Sequence, residues 1–330
     1  MIDRRTLLRV AGAVFVSATG PLRVQAQGRP ARVAYLSFRR EPNEFEQAFL
    51  RGLRERGFIE GGNLVIDFRW AAWDLQRAQA MVTELGALQP GVFVVVDAMG
   101  RAVIPMIRSL YPAMPIVVPA LGDPIAAGLT HSLASPDGNV TGIAVFTIEL
   151  SHKRLQLLKE AVPTLKRVGA LYNAARRDNP PEALAATAAA GKELGIEVVE
   201  MPVPLPEGID AAFAAAARQG VQGVAIVSDT ATIAYRQPLG ELSLKHRLPT
   251  IFSNRTYLKG GGLMSYGPDL EGAFHRSAYF VERILKGAKP AELPIERPTT
   301  FQLALNLGTA RSMGFKFPQS LLARADEVIE

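Results

Sequence analysis

The first half of the chain is built around the run Val92-Phe93-Val94-Val95-Val96, in which every residue is apolar and all but Phe93 are β-branched. Three further apolar runs of strand length flank it, at residues 32–36, 64–68 and 115–118. Stretches with helical spacing separate the runs, as at residues 44–56. Continuous apolar strands separated by helices are typical of a parallel sheet that is covered on both faces.

The same pattern returns in the second half of the chain. Strand-like runs open again at residues 167–172, 196–199, 223–227 and 249–252, at spacings close to those of the first series. Two matched sets of strands suit two similar lobes better than one uninterrupted sheet. We therefore expect an α/β protein with two doubly wound, Rossmann-like lobes.

The last part of the chain contains more elements than the second lobe needs as a sequential unit. A short apolar run, a helix with one apolar face and an alternating strand follow the second series, at residues 263–266, about 270–286 and 299–307. We expect the chain to cross between the lobes more than once and so to form a hinge. The predicted first lobe is residues 27–143 plus about 268–288, and the predicted second lobe is residues 144–267 plus about 289–330.

The first 26 residues have the features of an export signal. Basic residues precede an apolar stretch at 10–22, which is too short for a membrane span, and a small-residue cleavage site ends at Ala26. The Arg4-Arg5 pair resembles a twin-arginine signal, with leucine where phenylalanine is usual, and an ordinary secretory signal is the alternative. Both routes predict an exported protein with its signal, residues 1–26, cleaved near Ala26.

The composition excludes several kinds of site and partner. The chain has no cysteine, which excludes disulfides, thiolate catalysis, cysteine zinc sites and a lipid anchor on an N-terminal cysteine. An exported protein without that anchor is expected to be free in the periplasm. Removal of the signal takes away four arginines and one aspartate, which lowers the net charge from +6 to +3. No basic stripe remains, so nucleic acid is not an expected partner.

The sequence carries no enzymatic motif. It lacks the nucleophile-elbow, zinc-protease and phosphate-loop patterns. The histidines are not paired at metal-ligand spacing; they are His131, His152, His246 and His275. We therefore predict a binding protein and not an enzyme, with no metal and no cofactor.

Several strings along the chain are characteristic of one protein family. They are residues 49–61 (FLRGLRERGFIEG), 122–124 (GDP), 136–142 (PDGNVTG), 153–163 (KRLQLLKEAVP), 261–267 (GGLMSYG), 285–290 (LKGAKP) and 321–327 (LLARADE). With these strings the sequence resembles the tryptophan/tyrosine-type family of ABC-transporter substrate-binding proteins. The resemblance implies the periplasmic binding protein type I fold, a small-molecule ligand and an ABC permease in the inner membrane as partner. Monomeric behaviour suits such a hinged receptor.

The topology predicts where a ligand binds. In open α/β sheets ligands lie beyond the carboxyl ends of the strands, and two facing lobes turn these ends into the walls of a cleft. The candidate ligand-binding residues follow strands or stand beside a crossing. They are Ser37, Phe38, Asp97 and Asp123 in the first lobe, Tyr172, Asn173, Asp229, Thr230 and Asn254 in the second, and Tyr266 on the hinge side.

These residue types suit a small polar ligand with an aromatic part, such as an amino acid. The hydroxyl groups of Ser37 and Thr230, with the N–H groups that open the following helices, can hold a carboxylate. The three aspartates can accept hydrogen bonds from an ammonium or hydroxyl group, and the three aromatic residues can stack on a ring. Each residue also has a structural alternative. Polar residues at strand ends often cap the next helix, Asp123 before Pro124 suits a turn, and Phe38 and Tyr172 suit a lobe core.

The pattern as a whole predicts a periplasmic solute receptor that closes on its ligand by a hinge motion and passes it to an ABC permease. An exported sensing domain that partners a membrane signalling protein uses the same cleft, and the sequence does not separate it from the receptor. An enzyme on a Rossmann-like scaffold is the third alternative. The family's informal name is not enough to assign tryptophan or tyrosine to this chain, so the ligand stays open.

Overall fold

The computed structural model describes residues 29–96, 100–174, 180–227 and 230–330. Its strands are β1 Ala31–Ser37, β2 Leu64–Trp70, β3 Val92–Val96, β4 Ile116–Leu121, β5 Val140–Ala144, β6 Arg167–Asn173, β7 Glu197–Val203, β8 Gly223–Ile226, β9 Thr250–Phe252, β10 Met264–Pro268, β11 Phe301–Asn306 and β12 Glu327–Ile329. Its helices are α1 Glu44–Glu55, α2 Leu75–Ala87, α3 Gly100–Leu110, α4 Ser151–Ala161, α5 Pro180–Leu194, α6 Ile209–Arg218, α7 Arg236–Lys245, α8 Leu270–Leu285, α9 Leu307–Met313 and α10 Gln319–Leu322. Short 3₁₀ helices cover Thr147–Leu150, Thr230–Tyr235, Arg255–Gly260 and Pro290–Glu292.

The strands form two separate sheets, one in each lobe. The first sheet has the order β2-β1-β3-β4-β5, and all of its neighbouring strands are parallel. The second has the order β12-β11-β10-β9-β8-β6-β7. It is parallel from β7 to β10, whereas β11 runs antiparallel to β10 and β12 follows the direction of β11. The predicted class, two α/β lobes with mainly parallel sheets, is confirmed.

The run that organises the sequence lies at the centre of the first lobe. Each residue of Val92–Val96 is at most 1 % exposed. Val92, Val94 and Val96 belong to the apolar cluster on one face of the sheet, and Phe93 and Val95 belong to the cluster on the other. Because side chains alternate along a strand, an unbroken apolar run is the expected sequence of a strand that helices cover on both faces.

A late segment of the chain completes the first lobe. Helix α8 packs along α1, with the rings of Phe45 and Phe274 stacked 5.0 Å apart between their centroids. Gly52 of α1 allows the close approach, because a Cβ atom there would lie 2.4 Å from the carbonyl oxygen of His275. The helix that follows β10 in the chain therefore belongs to the core of the lobe that contains β1.

The chain passes between the lobes three times: after β5, after β10 and between α8 and β11. Before the third passage it is bonded to the edge of the first sheet. The N–H group of Glu296 donates to Gly142 O at 2.9 Å, and Ala144 N–H donates to Glu296 O at 2.8 Å. The Thr141 hydroxyl donates to Leu293 O at 2.8 Å. Residues 293–296 are thus attached to the first lobe, although the sequence pattern places them in the second.

The predicted export signal, residues 1–26, lies outside the described residues. Within the described ranges, no helix combines the length and apolar character that crossing a bilayer requires. The longest described helix, α8, has 16 residues, and a membrane span needs about 20.

Candidate functional site

The carboxyl edges of the two sheets face each other. Strand β5 of the first sheet ends at Ala144 and leads through the 3₁₀ helix Thr147–Leu150 into α4 of the second lobe. Strand β10 of the second sheet ends at Pro268 and leads directly into α8 of the first lobe. Because both passages leave from the carboxyl ends of strands, these two edges form the walls of a cleft, which is where open α/β folds bind ligands.

The first lobe brings Ser37 to this edge and places Phe38 beneath it. Ser37 is the last residue of β1, and its Oγ accepts hydrogen bonds from the backbone N–H of Arg39 at 3.2 Å and from Arg39 Nε at 3.3 Å. Phe38 is fully buried in the apolar cluster that contains Val95 and Val103. Its ring therefore occupies the lobe core, the structural alternative for this residue.

An ion pair that the sequence analysis missed lies under the same edge. The guanidinium of Arg39 pairs with Glu46 of α1, and both residues are buried. The Tyr35 hydroxyl donates to Glu46 Oε1 at 2.6 Å. Glu46 Oε2 accepts the backbone N–H of Asn43 at 2.8 Å, completing a capping box at the start of α1. The spacing Asn43-x-x-Glu46 was the signal that could have placed this carboxylate.

Strand β2 ends at the cleft edge with an aromatic residue. Trp70, the last residue of β2, pairs in register with Ser37. Its ring stacks on Phe68 at 5.4 Å, and the Phe68 ring lies 5.0 Å from that of Tyr35. The indole Nε1 of Trp70 is buried without a hydrogen-bond partner in the described part of the chain. Trp70 is not among the residues that the sequence predicts for the site.

Of the three aspartates that the sequence predicts for the site, the structure describes Asp123. Asp123 is exposed after β4, and its Oδ1 accepts the backbone N–H groups of Ile125 at 2.8 Å and Ala126 at 3.0 Å. This is the turn that the sequence offered as an alternative to ligand binding. Asp97 and Asp229 lie outside the described residues.

In the second lobe, Tyr172 and Asn173 close strand β6. Asn173 is buried at the carboxyl edge. The Tyr172 hydroxyl donates to Glu200 Oε2 at 3.2 Å, and burial together with that carboxylate raises the pKa of the phenol. Glu200 pairs in register with Ala170, so the Tyr172 ring leans back along the sheet, away from the cleft edge.

The loop after β9 supplies buried polar groups to the cleft. Asn254 caps the 3₁₀ helix Arg255–Gly260, with its Oδ1 accepting the Thr256 N–H at 3.1 Å. Its Nδ2 donates to Ser253 Oγ at 3.4 Å, and both residues are buried. Thr230 opens the 3₁₀ helix Thr230–Tyr235 at the end of β8, and its side chain is not among the described groups.

Tyr266 lies in β10 at the hinge side, as its position in the chain predicts. Its ring is half-buried and stacks on Phe301 of β11, with 6.3 Å between the ring centroids. The side chain packs beside the apolar cluster that contains Met264, two residues earlier on the same face of the strand. The ring is therefore engaged by its own lobe in this conformation.

A neutral hydrogen bond lies deeper in the second lobe, and the sequence analysis missed it. The hydroxyl groups of Thr232 and Tyr257 are bonded to each other, and both side chains are fully buried. Thr232 follows β8 and Tyr257 follows β9, so this contact ties together two loops at the cleft edge. No sequence pattern indicates it, because the pair forms only when two separate loops meet.

An ion pair connects the lobes beside the cleft. Lys259 Nζ, from the loop after β9, lies 3.1 Å from Glu44 Oε1 at the start of α1 and 3.4 Å from Glu271 Oε1 of α8. Burial raises the pKa of the Glu44 carboxyl, but its own backbone N–H, Lys259 and Arg236 together outweigh burial, so that the net pKa is lowered. This contact joins the second lobe to both helices that cover one face of the first.

The chemistry of the edges is that of binding. Among the described residues, no group of three or more His, Asp or Glu side chains is placed to hold a metal ion. The described polar groups at the edges include hydroxyls, amides and the mutually compensated pair of Arg39 and Glu46, and the Asp123 carboxylate is engaged in its own turn. Such groups orient a ligand by hydrogen bonds from two sides.

Comparison with known proteins identifies the family. A sequence model of the family described as ABC transporter substrate binding protein matches residues 42–329. The chain belongs to this family. The predicted resemblance is confirmed, and so is the prediction that the chain is not an enzyme, because the family is one of solute-binding proteins. ABC transporter substrate-binding proteins bind small molecules, work with ABC permeases and are generally extracytoplasmic.

Individual relatives agree with this assignment. A Tyrosine-binding protein of Clostridioides difficile is 22% identical over 272 residues, which cover 81% of this chain and 76% of the relative. A structure from Streptococcus pneumoniae, described as an ABC domain in complex with L-Trp, superposes with a TM-score of 0.81 at 24% identity and covers 91% of this chain and 100% of its own. A ligand-free, open substrate-binding protein from Clostridium difficile gives a TM-score of 0.65 at 20% identity, over 91% of this chain and 99% of its own.

Proposed function

We propose that this chain is the solute receptor of an ABC importer and that it captures an amino acid with an aromatic side chain between its lobes. The observation that carries the proposal is the pair of facing carboxyl edges, each with buried polar side chains, in a member of this family. The ligand class is supported by the names of two relatives, one a tyrosine-binding protein and the other a complex with L-Trp.

The residues at the edges suit the three parts of such a ligand. We assign the carboxylate to Ser37 and Thr230 with nearby backbone N–H groups, and the ammonium group to Asp97 or Asp229. Asn173 and Asn254 supply further hydrogen bonds from the second lobe. Since the ring of Phe38 belongs to the core, Trp70 takes its place in the proposal as the ring that stacks on the ligand. Asp123, Tyr172 and Tyr266 stay candidates for contacts in another conformation.

Ligand capture in this proposal is a change of population. A ligand that touches both edges gains all of its contacts only when the cleft is shut, so binding favours the closed arrangement of the lobes. The three passages of the chain act as the hinge. We assign residues 29–144 and 269 to about 300 to the first lobe and the remaining residues to the second, because β5 ends at Ala144, β10 ends at Pro268 and residues 293–296 are bonded to β5.

The proposal includes the route to the site of action. The signal at residues 1–26 delivers the protein to the periplasm, where an inner-membrane ABC permease receives the ligand. The receptor acts as a monomer, and its modest net charge of +3 without the signal gives no reason for nucleic acid to bind.

A thermal-shift screen tests the proposal. Protein lacking residues 1–26 is unfolded, stripped of ligand, refolded and heated with each of the 20 standard amino acids. We expect L-tryptophan or L-tyrosine at about 100 times its Kd to raise Tm by about 5 °C or more, and L-alanine to leave it unchanged. If no amino acid raises the Tm of the refolded protein, the proposed ligand class is wrong.

A further inference from the structure

A buried arginine stands at the point where two passages of the chain leave the second lobe. Arg154, in the first turn of α4, is 4 % exposed. It forms no ion pair with the described acidic residues, unlike Arg39 in the first lobe. Burial lowers the pKa of its guanidinium to about 10, so the group is still charged at neutral pH.

Its hydrogen bonds go to the backbone of both passages. Arg154 Nε donates to Tyr266 O at 2.8 Å, and Nη1 donates to Thr147 O at 2.9 Å. Thr147 lies in the passage between β5 and α4, and Tyr266 lies two residues before Pro268, where β10 ends and the chain turns into α8. One rigid, planar group therefore joins the second-lobe ends of two hinge segments.

The need to fill space does not explain why this buried position is an arginine. A buried cation without a carboxylate has a desolvation cost that an apolar side chain of similar volume avoids. The third nitrogen, Nη2, is buried and has no hydrogen-bond partner among the residues that the structure describes. It lies beside Gly267, where a Cβ atom would be 3.7 Å from it; glycine is required there by the Ser253 carbonyl oxygen, which would lie 1.7 Å from that Cβ atom.

The first passage is also strained next to the residue that Arg154 holds. Phe146 has φ 42° and ψ 43°, the left-handed region that costs a residue with a Cβ atom about 1 kcal/mol or more. The guanidinium of Arg297, from the third passage, lies 3.9 Å from the centroid of the Phe146 ring. A strained backbone persists where its surroundings hold it, and the contacts around Phe146 include the bond from Arg154 to the next residue, Thr147, and the Arg297 guanidinium over its ring.

We propose that Arg154 is a positioning residue of the hinge, which fixes two passages side by side and so sets the angle at which the lobes close. The proposal rests on the proposed function, because closure matters only if the cleft takes a ligand. Without these bonds the two segments move independently, and the closed arrangement becomes one of several. Ligand affinity then falls in proportion to the fraction of molecules that reach the competent arrangement.

The absence of cysteine makes the test direct. Spin labels on cysteines introduced at Ala80 of α2 and Ala188 of α5, both exposed, report the distance between the lobes by pulsed electron resonance. The test variants are Arg154→Met and Arg154→Lys. The matched control is Arg108→Met, because Arg108 donates to Asn139 Oδ1 and to Leu129 O, both at 2.8 Å, within the first lobe alone.

We expect Arg154→Met to broaden the interlobe distance distribution in the absence of ligand, and Arg108→Met to leave its width as in the wild type. Arg154→Lys, with one compact donor group, gives an intermediate width. In titrations with L-tryptophan, Arg154→Met raises Kd about tenfold. The proposal is overturned if a folded Arg154 variant keeps the wild-type width, or if Arg108→Met broadens it equally. Should Arg154→Met not fold, Arg154→Lys decides by the same criterion.

The distance measurement separates this proposal from the proposed function. If wild-type protein does not bind L-tryptophan or L-tyrosine, the ligand assignment fails while the ligand-free distributions still test Arg154. If the wild type binds and Arg154→Met keeps both its width and its Kd, the positioning role fails and the receptor function stands.

Discussion

The two lobes have the same architecture but treat buried positive charge differently. In the first lobe, Arg39 is compensated by Glu46, which Tyr35 and the start of α1 also hold. In the second, Arg154 is held by two backbone carbonyls. An ion pair whose two residues belong to one lobe stabilises that lobe alone. A guanidinium that donates to backbone carbonyls of the segments between the lobes holds those segments next to each other. If the proposed hinge role of Arg154 is right, the buried charge of the first lobe stabilises that lobe alone, and the buried charge of the second acts on the segments between the lobes.

The largest expected effect is on the compensated charge of the first lobe. Glu46→Gln leaves Arg39 buried beside a neutral amide and should lower the free energy of unfolding by about 3 kcal/mol. Urea unfolding measures this change in the free energy of unfolding. The control is Glu84→Gln, whose partner Arg69 lies in the same lobe and whose own side chain is 52% exposed, so its loss should cost less than 1 kcal/mol. Equal losses for the two variants would show that other groups compensate Arg39.

The packing of α8 on α1 comes next in expected size. Gly52→Ala introduces a Cβ atom within 2.4 Å of His275 O and should destabilise the first lobe by about 1–3 kcal/mol, since the two helices must move apart. Gly122→Ala is the control, because nothing lies within 4 Å of a Cβ atom there. The denaturant midpoints of the two variants, compared with that of the wild type, measure the loss of stability. A harmless Gly52→Ala would mean that α8 docks loosely and is not a fixed part of the first lobe.

In the second lobe, the buried contact at the cleft that we compare with the Arg39–Glu46 pair is the neutral hydrogen bond between Tyr257 and Thr232. Its loss should cost less unfolding free energy. Tyr257→Phe removes the hydroxyl that is bonded to Thr232 and should cost about 1 kcal/mol of unfolding free energy. Tyr172→Phe removes a bond to Glu200 at the exposed sheet edge and should cost less than half as much. If Tyr257→Phe costs as much as Glu46→Gln, the contrast between a charged and a neutral lobe is wrong.

The smallest effect concerns the ion pair that joins the lobes. The pKa of Glu44 lies below its ordinary value of 4.5, so its contribution to stability is complete above that pH and is lost as pH falls through the lower folded pKa. The charged groups that face it are Lys259 and Arg236, with Glu271 also paired to Lys259. Glu44→Gln should therefore cost less than 1 kcal/mol at pH 7 and nothing near pH 2.

Salt separates this effect from a packing loss. The Lys259 side chain is half exposed, so 0.5 M NaCl should remove most of the difference between Glu44→Gln and the wild type at pH 7. Unfolding in urea at both salt concentrations and both pH values provides the measurement. A difference that persists at pH 2 would assign the effect to packing at the start of α1.

The sequence predicts the parts of the fold that depend on local pattern. The run Val92–Val96 identifies a central buried strand because alternate residues face two helical layers. It does not predict the reversal at β11, since that direction depends on where α8 releases the chain and not on any residue of Phe301–Asn306. For the same reason, the sequence does not predict the backbone hydrogen bonds between Glu296 and β5.

The candidate site is less predictable than the fold. Position after a strand correctly places Ser37, Asn173 and Asn254 at the carboxyl edges, because topology determines those positions. It does not tell where a side chain points. The ring of Phe38 packs into its own lobe, and Tyr266 follows the same face as Met264, a periodicity that was readable from the sequence. The role of Arg154 is not readable from the sequence because one of its partners, Tyr266, lies 112 residues further along the chain, whereas Glu46, the partner of Arg39, is only seven residues away and is marked by the capping-box spacing.

The docking of α8 has a consequence for the order of events during synthesis. The contact of Phe45 with Phe274 joins positions near opposite ends of the chain, so the first lobe lacks part of its core until most of the protein has been made. Folding of the N-terminal half as an independent unit, the usual course for a multidomain chain, is therefore impeded. We therefore expect the core of the first lobe to close only after α8 has been made.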